Sequence, residues 1–208
     1  MTKSSEIRVP ANEITVTKRA DASIVVVGNP NSGKSTLFNR LTGLKQRIGN
    51  YPGVTVERHI GFLRTDNSTT ELVDLPGTHS LSAHSIEEHI AVDVIFGRME
   101  GTKPPDGILA VLDATNLYQG LFLVQQLTEL GLPTVVALTM TDAAEKGGIQ
   151  VDTAELSALL GVPVYPVVAT TGAGLDMLRR AIADIRELTP PRRVRVWPEL
   201  IEAAERLA

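Results

Sequence analysis

The sequence predicts an α/β fold: a doubly wound, mostly parallel six-stranded sheet with one antiparallel strand and helices on both faces. Three observations carry this. Ile24-Val25-Val26-Val27 is a continuous β-branched run, the pattern of a strand buried on both sides in a parallel sheet. Comparable runs recur at 108–112, 134–138 and 162–167, with stretches of helical period between them. Right-handed crossovers joining parallel strands then put helices on both faces.

Taken in order, residues 1–22 are polar and carry only a short alternation, Ile14-Thr15-Val16, which reads as a flexible arm with an edge strand at most near its end. The strand at 24–27 feeds a helix near 34–42. Val56 to Thr65 and Thr69 to Val73 flank the turn pair Asp66-Asn67 and predict an antiparallel hairpin, the source of the one reversed strand. Helical period continues over 85–98, 117–130, 153–160 and 174–187, so one domain spans 23–188. Thr189-Pro190-Pro191-Arg192-Arg193 is a linker by composition. Trp197-Pro198-Glu199 then opens another helix with Pro198 in its first turn, so 189–208 read as a linker and the start of a helical domain.

Composition narrows the function. A chain of 208 residues with 43% hydrophobic and 21% charged residues can bury a core without staples. The absence of cysteine excludes disulfides, thiolate metal sites and cysteine nucleophiles. A net charge of −4, with one Trp, three Tyr and four Phe, argues against a nucleic-acid partner, through both charge and stacking surface. No apolar run approaches the roughly 20 residues that span a bilayer, and the N-terminus lacks a secretory apolar stretch, so the chain is expected to be soluble and cytoplasmic. His59, His79, His84 and His89 are scattered, and the five-residue step from His84 to His89 is not the spacing of a helical metal pair.

The motif that carries chemistry is Gly28-Asn29-Pro30-Asn31-Ser32-Gly33-Lys34-Ser35, which fits G-x-x-x-x-G-K-[ST] between a strand and a helix. Its glycines let backbone N–H groups turn inward as an anion nest, and the helix N-terminus adds its dipole. Lys34 is expected to reach β- and γ-phosphates, and the Ser35 hydroxyl to take a magnesium position. Asp74-Leu75-Pro76-Gly77 follows at the end of a hairpin strand. There Asp74 can hold magnesium through water while the Gly77 N–H meets a γ-phosphate. Thr55 lies beyond the glycine- and proline-punctuated stretch Arg47-Ile48-Gly49-Asn50-Tyr51-Pro52-Gly53-Val54. Its hydroxyl is a candidate to complete the magnesium shell only when a γ-phosphate is present, which makes the loop a candidate switch.

Residues 28–39, the block Gly49-Asn50-Tyr51-Pro52-Gly53-Val54-Thr55-Val56-Glu57, and Asp74-Leu75-Pro76-Gly77 together resemble the G domain of FeoB-type ferrous iron transporters. Ser80-Leu81-Ser82-Ala83-His84-Ser85-Ile86-Glu87-Glu88 resembles that family's second switch; Leu112-Asp113-Ala114-Thr115-Asn116-Leu117 and Leu159-Leu160-Gly161-Val162-Pro163-Val164 resemble it too. The likeness covers roughly 24–187, and the tail resembles the first helix of the family's helical domain. It implies a Ras-like P-loop GTPase that takes GTP or GDP with magnesium. It also implies regulation of a membrane permease in the same full-length protein, at the cytoplasmic face of the inner membrane, with a homo-oligomer as a candidate assembly. The nucleotide site it implies comprises Asn29, Asn31, Ser32, Gly33, Lys34, Ser35, Thr36, Gly53, Val54, Thr55, Asp74 and Gly77, with a base side of Thr139, Met140, Asp142, Ala169, Thr170 and Thr171.

The departures from the pattern fall on the base side and on catalysis. The family's guanine box is Asn-x-x-Asp, and here it reads Thr139-Met140-Thr141-Asp142. Asp142 can accept from the guanine N1 and N2 groups, whereas Thr139 is too short to copy the asparagine amide. One lost hydrogen bond of about 1–3 kcal/mol corresponds to a ten- to hundredfold lower affinity. Ala169-Thr170-Thr171 replaces the usual Ser-Ala-Lys-like box, leaving its backbone N–H to meet guanine O6. After Gly77 stands Thr78, where many small GTPases place a water-orienting glutamine. In a subset of GTPases with a similar P-loop, potassium takes an arginine finger's place; Asn31 matches the asparagine that helps hold it, and carbonyls of 49–53 complete its cage. The expected catalytic set is therefore Lys34, Thr55, Gly77 and Asn31. Competing readings are a non-hydrolysing guanine-nucleotide sensor, a stand-alone RNA- or ribosome-associated GTPase, and an ATP-directed P-loop protein.

Overall fold

The computed structural model describes residues 20–43 and 46–191. The expected arm alternation at 14–16 and the helix after Pro198 lie outside them. Strand β1 (Ala22–Gly28) is buried along its whole length and sits at the centre of the sheet. Helix α1 (Lys34–Thr42) leads to strands β2 (Gln46–Asn50), β3 (Glu57–Arg64) and β4 (Thr69–Asp74). Helix α2 (Ile86–Ile95), strand β5 (Gly107–Asp113), helix α3 (Leu117–Thr128) and strand β6 (Thr134–Thr139) follow. Helices α4 (Thr141–Lys146) and α5 (Thr153–Leu160), strand β7 (Val164–Pro166), helix α6 (Leu175–Ala183) and a 3-10 turn over Ile185–Glu187 complete the order.

The sheet order is β2-β3-β4-β1-β5-β6-β7. Only β3 runs against the others, pairing antiparallel with both β2 and β4, while β4, β1, β5, β6 and β7 pair in parallel. This is the doubly wound Ras-like P-loop fold, with seven strands where six were expected. The additional strand is β2, whose residues Gln-Arg-Ile-Gly-Asn show no apolar alternation and whose Ile48 is exposed. Backbone pairing to β3 alone makes it an edge strand. The short helix α4 was also not expected, because six residues do not establish a helical period. β7 is shorter than the 162–167 run, and its Pro166 suits an edge position.

Alternation along the central strands builds two cores. Val25 and Val27, with Ile108, Ala110 and Leu112, face α2, α3 and α5 on one side. Ile24 and Val26, with Leu109 and Val111, face α1 and α6 on the other. Each strand therefore needs apolar residues at every position, which is why continuous runs rather than alternation mark them. β1 is flanked by β4 and β5, and the chain leaves it in one direction and returns on the other side. The carboxyl end of β1 is thus the switch point, where open α/β sheets form their crevices.

Two contacts fix the frame. Gly61 on β3 faces α1 so closely that an added Cβ would meet Thr42 Cγ2 at 2.2 Å and Thr42 Cβ at 2.7 Å. At the far end of β1, the Ser23 N–H donates to Asp106 Oδ2 at 2.8 Å while the Asp106 N–H donates back to the Ser23 carbonyl at 2.7 Å. Lys103 (3.0 Å) and Arg186 (3.2 Å) complete the cluster. Burial pushes the Asp106 pKa up, but the Ser23 amide, Lys103 and Arg186 outweigh it and hold the carboxyl below its usual value.

Gly61→Ala is expected to destabilise the fold by about 1–3 kcal/mol through overpacking, read from urea unfolding. Asp106→Asn is expected to cost about 2 kcal/mol at pH 7 by removing a charge-assisted cluster. Because the folded pKa is depressed, this stabilisation is present above the unfolded carboxylate pKa of about 3.9 and fades as pH falls through the lower folded value. Unfolding curves of wild type and Asp106→Asn should therefore begin to approach each other as pH falls below about 4; a constant difference down to about pH 3 would contradict it.

Candidate functional site

β1 ends in Gly28, where a Cβ would lie 2.8 Å from the Val111 carbonyl oxygen and 2.9 Å from Ser32 Oγ, so only glycine fits. The following turn places Asn31 (φ 65°) and Gly33 (φ 80°) in the left-handed region. Gly33 caps α1 without a side-chain acceptor, so the first-turn amides of α1 have no side-chain partner at that end. A concave loop of N–H groups at an uncapped helix start suits an anion, and the phosphates of a nucleotide fit it. Lys34 is buried and its Nζ donates to Asp74 Oδ1. A cleft of about 600 Å³ opens over this turn, lined by Asn29 to Asn31 and Gly33 to Thr36 together with Pro76, Gly77, Glu87 and Met140. Hydroxyl and carboxylate oxygens at Ser35 and Asp74 are the donor type that magnesium takes, and the Asn31 amide is a suitable oxygen for a larger monovalent cation.

The segment after β4 lies along this loop. Leu75 N–H donates to the Val26 carbonyl at 3.1 Å and Thr78 N–H to the Gly28 carbonyl at 3.2 Å. Gly77 lies against Pro30, with 3.1 Å from a hypothetical Cβ to that ring. Asn29 Nδ2 and His79 Nδ1 are 3.1 Å apart, so the imidazole nitrogen accepts from the amide in this pairing. Thr78 is fully buried and its hydroxyl donates to the Ser80 carbonyl at 2.7 Å, turning it inward. Ser85 and Glu88 form a reciprocal capping box at the start of α2. The His84 amide, foremost among several donors, holds the Glu88 carboxyl below its ordinary pKa.

The structure does not bring Thr55, Gly53 and Val54 to this cleft. They stand on a loop closed by Tyr51 N–H to the Val56 carbonyl (3.0 Å) and Val54 N–H to the Tyr51 carbonyl (3.3 Å), with Thr55 exposed. The anchor is Tyr51, only 1% exposed and packed among Val73, Leu75 and Ile90. Arg58 lies over its ring, 5.9 Å from the centroid. Burial pushes the Tyr51 pKa up to about 12, and its hydroxyl has no hydrogen-bond partner among the described residues.

On the base side, Thr139 is buried and its hydroxyl lies 2.7 Å from the Ser32 carbonyl and 3.1 Å from the Leu112 carbonyl. The short side chain thus ties the end of β6 to the loop after β1. Met140 takes a left-handed conformation (φ 55°), with its Cε 3.6 Å from a hypothetical Gly33 Cβ. Asp142 lies in the first turn of α4 and faces Lys146 at 4.0 Å. Ala169 is buried, and Thr170 and Thr171 are exposed on the turn before α6. Sequence reasoning missed Glu87 as a lining residue, the Asn29–His79 contact and the burial of Tyr51. The first had a faint signal in its place beside the Ser85 cap, but the other two depend on tertiary packing. Among the described residues no group of three His, Asp or Glu is placed to hold a metal, and no helix is long and apolar enough to cross a membrane.

Comparison with known proteins gives concordant findings. The N-terminal family of ferrous iron transport protein B matches residues 22–182. The chain is 49% identical over 164 residues to the Fe(2+) transporters FeoB of Shigella flexneri and Escherichia coli K12; the alignment covers 77% of this chain and 21% of each transporter. The chain thus spans about a fifth of the length of these relatives. Among solved structures it is similar to the cytosolic domain of L. pneumophila FeoB, with TM-score 0.76, 40% identity, and 83% of this chain and 71% of that one covered. The G domain of T. maritima FeoB gives 0.71, 38%, 79% and 98%. A GDP-bound mutant of the S. thermophilus FeoB G-domain gives 0.72, 41%, 79% and 61%.

The orphaned hydroxyl yields a direct expectation. Tyr51→Phe keeps the ring and its contact with Arg58 while removing a buried, unpartnered polar group, and should raise stability by about 1 kcal/mol. A loss of stability in chemical denaturation would show that the hydroxyl is hydrogen-bonded.

Proposed function

We infer the function from one premise: this chain belongs to the ferrous iron transport protein B family. It binds GTP and GDP and hydrolyses GTP slowly, as the regulatory domain of a ferrous iron transport protein whose permease lies in the membrane, with this domain on the cytoplasmic side. The observation that supports this best is the phosphate cleft, where the uncapped start of α1, Lys34 and Asp74 converge at the switch point of the sheet.

In this reading the backbone N–H groups of residues 31–35 and Lys34 bind the phosphates. Asp142 accepts from the guanine N1 and N2 groups, Met140 lies beside the bound base, and backbone N–H groups of 169–171 face O6. Ser35, Asp74 and, after loop closure, Thr55 would hold magnesium, and Asn31 would hold potassium. When bound, these cations neutralise charge on the transferring phosphoryl group. The exposed position of Thr55 makes its loop the element that must move, about the Tyr51 anchor, and the Gly77 N–H then reports the γ-phosphate to the segment 78–90.

A second reading is supported by the inward-turned Thr78: a fully buried hydroxyl that gives its proton to the Ser80 carbonyl does not face the cleft to orient an attacking water, so the domain would sense nucleotide without turnover. The two readings separate in one assay. Phosphate release from GTP is expected to exceed that from ATP and to run faster in potassium chloride than in sodium chloride. Lys34→Ala should lose at least about a hundredfold in GDP affinity. GDP binding without turnover in either salt would favour the sensor; equal binding by Lys34→Ala would remove the phosphate-site assignment.

A further inference from the structure

The turn between β7 and α6 is closed on itself. Val168 N–H donates to the Ala173 carbonyl at 3.0 Å and Gly172 N–H donates to the Val168 carbonyl at 2.8 Å. Gly172 (φ 91°) and Gly174 (φ 77°) give it left-handed corners, and Gly174 caps α6 without a side-chain bond. The base of the turn is seated by Val167 N–H to the Leu138 carbonyl at 2.8 Å and by buried Ala169, but its exposed tip at Thr170 and Thr171 needs a separate link to the rest of the fold. Arg40, in the last turn of α1, supplies that link: its Nη2 donates to the Thr170 carbonyl. Arg179 of α6 donates in turn from Nη2 to the Arg40 carbonyl at 2.7 Å. The two bonds join residues 130 and 139 positions apart in sequence. Because α1 begins at Lys34, the helix that starts in the phosphate loop ends by holding the turn on the base side.

We propose that Arg40 is a positioning residue for the base-recognition turn, setting how tightly the purine, rather than the phosphates, is held. This deepens the guanine-nucleotide reading and rests on it. The peptide bonds here are trans, so C=O and N–H of one peptide unit point in opposite directions. Holding the Thr170 carbonyl toward α1 therefore aims the Thr171 N–H away from α1. A guanidinium suits the task, since its planar fork keeps one N–H on a carbonyl while the others stay hydrated. Arg40 is exposed, so its loss opens no cavity and leaves the internal bonds of the turn in place. The other base-side segment, 139–142, is tied to the phosphate loop separately through Thr139 and Ser32. Loosening Arg40 therefore frees one recognition element and leaves the other seated.

The test compares wild type, Arg40→Met and Arg40→Lys in binding of GDP and of pyrophosphate, with amide exchange over residues 168–172. Arg40→Met should bind GDP about tenfold more weakly, keep its pyrophosphate affinity within about twofold, and exchange faster in that turn; Arg40→Lys should recover part of the GDP affinity. Unchanged GDP binding overturns the proposal. So does a parallel loss of GDP and pyrophosphate, which would mean that Arg40 acts through the phosphate loop. If wild type itself binds no GDP, the nucleotide reading fails on its own. Exchange then decides the role of Arg40, and unchanged protection in both variants rejects it.

Discussion

The pairing of Lys34 with Asp74 is the constraint around which the site is arranged. Their side chains are 10% and 12% exposed, so each charge sits largely out of water and depends on the other. The pair bridges the start of α1 and the end of β4, two segments brought together because β4 lies parallel to β1 and pairs Asp74 with Val26. Removing either partner would leave a buried charge with nothing opposite it. On the nucleotide reading, an incoming phosphate would compete with Asp74 for the ammonium group and free the carboxylate for other ligands. On that reading the same contact would hold α1 to β4 until nucleotide arrives and then give way to it.

Around that pair the loops lie in register. Thr78 meets Gly28, Gly77 lies on Pro30 and His79 reaches Asn29, so a displacement of the loop after β1 is felt by three consecutive residues just ahead of the segment 80–88. Glu88 continues the connection, binding the amides of His84 and Ser85 and receiving the Thr78 hydroxyl at 3.4 Å. The segment therefore begins on the phosphate loop and ends in a helix cap, with short-range hydrogen bonds between. On the opposite flank the loop bearing Thr55 has a single deep anchor, Tyr51, and an exposed tip. One segment is joined by hydrogen bonds to the loop after β1 and to its own helix cap, whereas the other has one deep anchor and an exposed tip.

The parts of the fold legible in the sequence were those whose burial is two-sided. Ile24 to Val27 could be read as a central strand because no position along it tolerates a polar residue, and the phosphate loop because its glycines are needed for backbone reasons. β2 escaped because its pairing rests on the backbone, with side chains left in water. Thr55 could be named from its motif but not placed, since sequence spacing does not fix the state of a loop. Thr139 was legible as a departure, yet its hydrogen bond to the Ser32 carbonyl joins residues 107 positions apart, which no local pattern records. Arg40 gave no signal either, being one more exposed cation in a helix until the turn at Thr170 is seen above it.

Thr139 has a consequence in time. Its hydroxyl faces the phosphate loop, so on the nucleotide reading it stabilises the cradle whether or not a base is present, and it adds nothing that departs with the base. Among related complexes, affinity differences appear mainly in the dissociation rate. A domain with a well-held cradle and a lightly held base would load quickly and release quickly. Its state would then follow the ratio of nucleotides in its surroundings, with no need for a second protein to eject a long-lived product.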